Sequence, residues 1–323
     1  MCQSREALPR FEIEGIAPKL VVCVVCGLGR LEPMPGLDEI QRFYPHEYYG
    51  EPGTKFQPLV EGLVRWAGQR HVSFLTRSLP PGARVLDVGC GRGVVLGGLA
   101  DRGMQVHGVE ISADAMQGAD PRAEIRIAPR LAEADYAADG FDEVLIWHVL
   151  EHLHDPHRTL QEVQRILRPG GRLVVAVPNF SSIQARLGGA AWFHLDLPRH
   201  LYHFPLSALK RLLGDLGFEL VSEHHFSLRQ NPFGWIQSAL NALGVFPRNA
   251  LYTLLHRRGD GSPAPFGAGT RLALRACLLL GALPALAASM LGALLRSGAT
   301  VHVVARKTGG DSVVGQPPAQ RST

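Results

Sequence analysis

The sequence predicts an α/β fold: a doubly wound, mostly parallel sheet with a helical apolar insert before its last strand. Three observations carry this. A short apolar strand runs into a glycine turn and then a helix at RVLDVGCGRGVVLGGLA, residues 84–100. Strands and helices then alternate, which builds parallel sheets with helices on both faces. Near the C-terminus an alternating β-branched stretch, TVHVVARK, resumes after a long uncharged run. With 46% hydrophobic and 19% charged residues, the 323-residue chain has enough apolar surface to form a core.

At the glycine turn, Val85, Leu86 and Val88 make a buried strand, and Gly89, Gly91 and Gly93 follow. Glycines let a backbone approach a ligand with no Cβ in the way. A second strand, VHGVEIS (106–112), ends in Glu110, about twenty residues past the turn, where an acid accepts hydrogen bonds from ribose hydroxyls. FDEVLIWHVLEH (141–152) and LRPGGRLVVAVPN (167–179) supply two more strand units. A nicotinamide-binding turn would read G-x-G-x-x-G; here the last position is Val94.

These four motifs, in this order, resemble a class I S-adenosylmethionine-dependent methyltransferase, within the broad set that includes the ubiquinone-biosynthesis O-methyltransferases. The resemblance covers roughly residues 20–230 and 299–307 and implies a Rossmann-like, seven-stranded sheet. It implies that Asp87, Gly89, Cys90 and Gly91 line the methionine part of the cofactor. Glu110 would hold the ribose, Ile111 would pack on the adenine, and Trp147 would complete the set. No residue of APRLAEADYAADG (128–140) matches the family's adenine-amino contact.

Methyl transfer to a hydroxyl needs alignment of the acceptor and removal of its proton. His200, in the stretch WFHLDLPRHLYHF (192–204), is the first candidate base, and His148 is the second. Relatives carry a similar stretch over the substrate. Its histidines, His194, His200 and His203, either contact substrate beneath a lid of Trp192, Phe193, Tyr202 and Phe204 or face solvent on a packed loop. His148, Glu151 and His152 share helical spacing and partly match the E-x-x-E-H triplet that resembles a divalent metal site in ubiquinone-type enzymes. They either hold a metal or brace the loop.

At the N-terminus, Cys23-x-x-Cys26 and Cys2 offer three thiolates. Relatives begin with two C-x-x-C knuckles resembling a structural zinc site, so zinc is a second candidate metal, with one knuckle cut short. The expected organisation is a cysteine-bearing segment (1–50), the methyltransferase core (51–230), the apolar insert (231–298), the last strand (299–308) and a disordered tail (309–323). A helix is expected over residues 55–80.

The insert holds two uncharged stretches, 231–247 and 276–295, with arginines between them. Because the chain returns to the same sheet, a single membrane crossing is excluded. The alternatives are docking at a membrane interface, burial against the domain or a second copy, and a hairpin through the bilayer. The net charge of +4 is too small to argue for a nucleic-acid partner. Five cysteines without a disulfide framework, and no leader, point to the cytoplasm, at the inner face of the membrane. The resulting expectation is a methyltransferase acting on a hydroxyl of a hydrophobic or membrane-associated small molecule. The alternatives are a C-methyltransferase of nucleotide-linked sugars and a non-catalytic, cofactor-binding membrane scaffold.

Overall fold

The computed structural model describes residues 2, 4, 6–43, 74, 79–91, 93–116, 119–256 and 265–309. The expected helix over 55–80 lies outside them apart from Phe74, Leu79 and Pro80, as do the tail beyond Gly309 and the arginines at 257 and 258.

The principal sheet is the expected one. Its strands are β4 (Arg84–Val88), β5 (Gln105–Glu110), β6 (Glu124–Ile127), β7 (Phe141–Trp147), β8 (Leu167–Pro178), β10 (Phe218–His224) and β11 (Thr300–Lys307). They are ordered β10-β11-β8-β7-β4-β5-β6. β11 runs antiparallel to both of its neighbours, and the pairs among β4 to β8 are parallel. The chain winds outward from β4 through β5 to β6, then restarts on the other side at β7. The crevice of a doubly wound sheet opens where the winding reverses, at the C-terminal ends of β4 and β7.

Strand alternation explains how both faces are covered. Leu86, Val88, Val144, Ile146, Val175 and Val177 face one core, closed by α3 (Pro156–Ile166) and α5 (Leu206–Asp215). Val85, Leu145, Val174 and Val304 face the other, closed by Leu96 and Leu99 of α2 (Val94–Ala100). Asp155 caps α3 by accepting a bond from the Arg158 amide, and Pro156 begins the helix, where its missing N–H costs nothing.

A second, antiparallel sheet was not foreseen. The N-terminal strands β1 (Ala7–Phe11), β2 (Lys19–Cys23) and β3 (Gly29–Glu32) are joined by β9 (Tyr202–His203), in the order β1-β2-β3-β9. β3 meets β9 at Gly29 and His203, where a Cβ on Gly29 would lie 2.9 Å from that of His203. The cysteine-bearing segment therefore packs onto the histidine stretch of the core.

Between β10 and β11 lie α6 (Asn231–Leu243), α7 (Ala250–Leu255) and α8 (Ala268–Leu294). Buried Asn231 holds the two ends of this insert together. Its Nδ2 donates to the His225 carbonyl at 2.9 Å, and its Oδ1 accepts from the Thr300 amide at 3.1 Å. A Cβ on Gly298 would lie 1.8 Å from the same carbonyl, so only glycine fits that crossing.

Candidate active site

The turn after β4 is closed by its own backbone. The Gly89 and Cys90 amides donate to the Val109 carbonyl at 2.8 and 3.2 Å, tying the turn to the end of β5. Gly89, Gly91 and Gly93 all have positive φ. Their surroundings differ. A Cβ on Gly89 would lie 2.6 Å from the Val149 side chain, so this glycine serves close packing against the segment after β7. A Cβ on Gly91 would meet nothing within 4 Å among the described residues. Cys90 is buried under the turn, with its sulfur where a Cβ on Gly108 would fall.

Glu110 ends β5 and is buried. Its two oxygens accept the Gly91 and Ile111 amides at 2.9 and 2.8 Å. A carboxylate has about four acceptor positions, so two remain for a ligand. Burial, and then the charge of Glu110, push the Asp87 carboxyl up to about 7. A cation bound beside it would restore its charge. Ile111 is 62% exposed, an apolar side chain at the crevice with no cover among the described residues. Trp147, at the end of β7, lies 4.6 Å between ring centres from His302. The cofactor set expected from sequence thus gathers at the ends of β4, β5 and β7.

Beside the turn stands a histidine cluster. His148 follows β7 directly, with φ of 53°, a conformation that non-glycine residues hold at a cost and that is often found at functional sites. Its Nδ1 lies 3.3 Å from Glu151 Oε1. The buried His148 Nε2 and Glu151 Oε2 have no hydrogen-bond partner among the described residues. Val149, the next residue, is the one that packs on Gly89. His200 is buried, its Nδ1 2.9 Å from the His194 carbonyl and its ring 4.6 Å from that of His152. Burial, then the nearby His152 and His203, hold the His200 imidazole well below the usual histidine range.

The alternatives for the stretch 192–204 resolve as a packed wall. His194, His200 and His203 are buried, not solvent-facing. Trp192 and Phe204 are core residues, and Trp192 Nε1 donates to Gln184 Oε1 at 3.0 Å. The wall leans on α6: the Phe193 amide donates to Ser238 Oγ at 2.9 Å, and Asn241 Nδ2 donates to the Ala191 carbonyl at 3.1 Å. Gly234, whose Cβ would lie 2.7 Å from His194 Nε2, lets the helix come that close. Sequence reading passed over Val149, Gln184 and Gly234. The glycine among bulky neighbours in NPFGWIQ was the available signal for Gly234.

Comparison with known proteins shows the family. Residues 64–223 match the family described as "Methyltransferase domain". A ubiquinone biosynthesis O-methyltransferase from Azorhizobium caulinodans is 30% identical over 183 residues, 52% of this chain and 72% of that relative. The chain belongs to the class I S-adenosylmethionine-dependent methyltransferases. A second ubiquinone biosynthesis O-methyltransferase, from Maricaulis maris, is 32% identical over 165 residues, 48% of this chain and 64% of that relative. The chain therefore spans less than two thirds of the Maricaulis relative's length. Among solved structures, a phosphoethanolamine N-methyltransferase from Haemonchus contortus in complex with S-adenosyl-L-methionine matches with a TM-score of 0.49 at 17% identity. That match covers 76% of this chain and 53% of the other.

Two side-chain groups in this methyltransferase have metal-ligand geometry. Ligand atoms of Glu151, His152 and His200 lie within 4.8 Å of one another. The expected trio was His148, Glu151 and His152, but the His148 Nδ1 is turned onto Glu151, and His152 Nδ1 lies 2.9 Å from the Arg199 carbonyl. Cys2, Cys23 and Cys26 also lie within 4.8 Å of one another and offer three of the four ligands that structural zinc takes. Backbone hydrogen bonding at Cys26 brings the Cys23 thiol down to about 7, against the opposing effect of burial.

The buried histidines predict an acid sensitivity. Burial brings His194 to about 3 and His203 to about 4, and holds His200 well below its usual range. In the unfolded chain all three take up protons near pH 6.5. Over pH 6 to 5 the unfolded state therefore binds up to three more protons here, and stability falls as pH falls. Asp87 and Glu143 act oppositely. Burial raises both to about 7, for Glu143 despite Arg172 beside it, so each is protonated in the folded state over the same range. These five groups alone leave about one proton, and burial also lowers His107, His224 and His225, so the loss is at least about 1.4 kcal/mol of unfolding free energy per pH unit. Denaturant titrations at pH 6 and 5 measure it. Glu143→Gln removes one opposing group and is expected to steepen the slope by about one proton, or about 1.4 kcal/mol per pH unit.

Proposed function

We propose that this chain transfers the methyl group of S-adenosylmethionine to a hydroxyl of a hydrophobic small molecule, with His148 as the base. The observation that carries this is the pair His148 and Glu151. One imidazole nitrogen is backed by a buried carboxylate, the other has no partner among the described residues, and the next residue packs on the glycine turn. The cofactor residues fit their role: Gly91 is open, Glu110 retains acceptor positions, and Asp87 is a buried carboxyl that a cationic ligand would ionise.

The cofactor, when bound, supplies an electrophilic methyl on a sulfonium sulfur. Gly91 and Glu110 would hold it by backbone approach and ribose hydrogen bonds, with Ile111 against the adenine. His148 Nε2 would take the hydroxyl proton of the acceptor, while Glu151 holds Nδ1–H and stabilises the resulting imidazolium. The wall of residues 192–204 and α6 keeps water from this side. His200, first in the sequence ranking, becomes a supporting residue, because its imidazole is too weak a base near neutral pH. O-methylation is favoured by the ubiquinone-type relatives. A second reading, C-methylation of a nucleotide-linked sugar, is favoured by the thiolate cluster of Cys2, Cys23 and Cys26.

The test is to incubate the protein with methyl-labelled S-adenosylmethionine and a fractionated extract of its own cells, and to identify the labelled product. Label in an organic-phase molecule bearing a methyl ether supports the proposal. Label on a sugar carbon favours the second reading.

A further inference from the structure

The two uncharged stretches of the insert have different fates. α6 is drawn into the protein by its polar residues: Ser238 and Asn241 bond the wall of the site, and Gln237 Oε1 accepts the Tyr252 amide at 2.9 Å. α8 is not. Its buried residues are Leu274, Ala285, Ser289 and Gly292, and Gly281 lies against Ile236 of α6. Along the opposite side Leu272, Leu279, Leu280, Leu283, Met290, Leu291 and Leu294 are exposed, the three middle leucines by 76, 79 and 77%. Twenty-seven residues give a helix of about 40 Å. Its apolar side runs nearly the full length, while its other side stays on protein. That arrangement suits lying along a surface rather than passing through it.

Charge decides what covers this face. The insert carries six arginines against one acid, Asp260, although the whole chain has a net charge of only +4. Arg271 and Arg275 stand at the N-terminal end of the stripe, and Arg296, paired with Glu223, stands at its C-terminal end. A second copy packed here about a two-fold axis would bring like-charged inserts together. An anionic lipid surface takes both features, the leucines into the acyl boundary and the arginines among the headgroups.

We infer that α8 docks flat on an anionic bilayer, and that α6 fixes the docked helix to the wall of the active site. The second part deepens the proposed function, since it places the acceptor in the lipid phase; the docking itself does not depend on that reading. Of the two stretches that the sequence marks for docking, 231–247 and 276–295, only the second takes part.

The experiment is gradient flotation of the full chain with neutral phosphatidylcholine vesicles and with vesicles containing phosphatidylglycerol, at low and high salt. The protein is expected to float with the anionic vesicles and to be released by salt. Arg271→Gln with Arg275→Gln is expected to lower the partition coefficient about 30-fold, at about 1 kcal/mol per basic residue. Leu279→Glu with Leu283→Glu, at positions that make little contact with the protein, is expected to abolish flotation while leaving S-adenosylmethionine affinity unchanged by calorimetry. Protein that stays at the bottom under every condition overturns the inference. So does salt-insensitive attachment released only by detergent, or a dimer by light scattering that the leucine variant dissociates. Flotation by a protein that fails to bind S-adenosylmethionine would leave docking in place and remove the methyltransferase reading.

Discussion

Replacing His148 with alanine is expected to lower turnover by about 10²- to 10⁴-fold, the usual contribution of a general base. S-adenosylmethionine affinity should change little, because the proposed mechanism has the imidazole meet the acceptor rather than the cofactor. The prediction rests on three features that, among the described residues, meet only at this histidine: a partly open ring, an Nε2 without a partner and a buried carboxylate on Nδ1. Glu151→Gln tests the carboxylate. It keeps the shape but loses the charge that stabilises the imidazolium, so it should also lower turnover and shift the low-pH limb of the pH–rate profile, where the base takes up a proton. His200→Ala should act differently. Its Nδ1 bonds the His194 carbonyl inside the wall, so the loss should be read in thermal stability before catalysis. If His148→Ala turns over like the wild type on the identified acceptor, the base is elsewhere and the mechanism fails.

The sheet and the cradle were legible in the sequence because their signals are local. A strand, a glycine turn and an acid about twenty residues on are dictated by backbone approach to a ligand, and each lies within a few residues of its structural neighbour. What stayed hidden depends on distance along the chain. β9 is two residues long and pairs with a strand more than 170 positions away, so no periodicity marks it. His200 ranked ahead of His148 because its stretch resembles a substrate-covering loop. Burial separated them, and burial follows from packing. Likewise α6 and α8 both read as uncharged runs, and Gln237 and Asn241 spoke against α6 as a membrane span without showing where it packs. The difference lay in Gln237, Ser238 and Asn241, whose polar groups need partners and find them in the wall.

Glu110→Ala is expected to weaken S-adenosylmethionine binding by a few kcal/mol, on the order of 10²-fold or more. Two contributions must be separated. Glu110 already bonds the Gly91 and Ile111 amides, so its loss also loosens the turn. If that were its whole role, the variant would bind an analogue lacking the ribose hydroxyls less well by the same factor. If the carboxylate holds the hydroxyls, the wild type loses affinity for that analogue, and Glu110→Ala then loses little more. Titration calorimetry on the four protein–ligand pairs gives the coupling directly. Gly91→Val supplies an independent check. Its Cβ would enter space that the described residues leave empty, although its φ of 51° disfavours any side chain. Gly91→Ala carries most of the same backbone strain with less bulk. A binding loss much larger for valine than for alanine, at equal thermal stability, locates the ligand beside Gly91. Equal binding by both variants, together with an uncoupled Glu110, would remove the cofactor from the ends of β4 and β5.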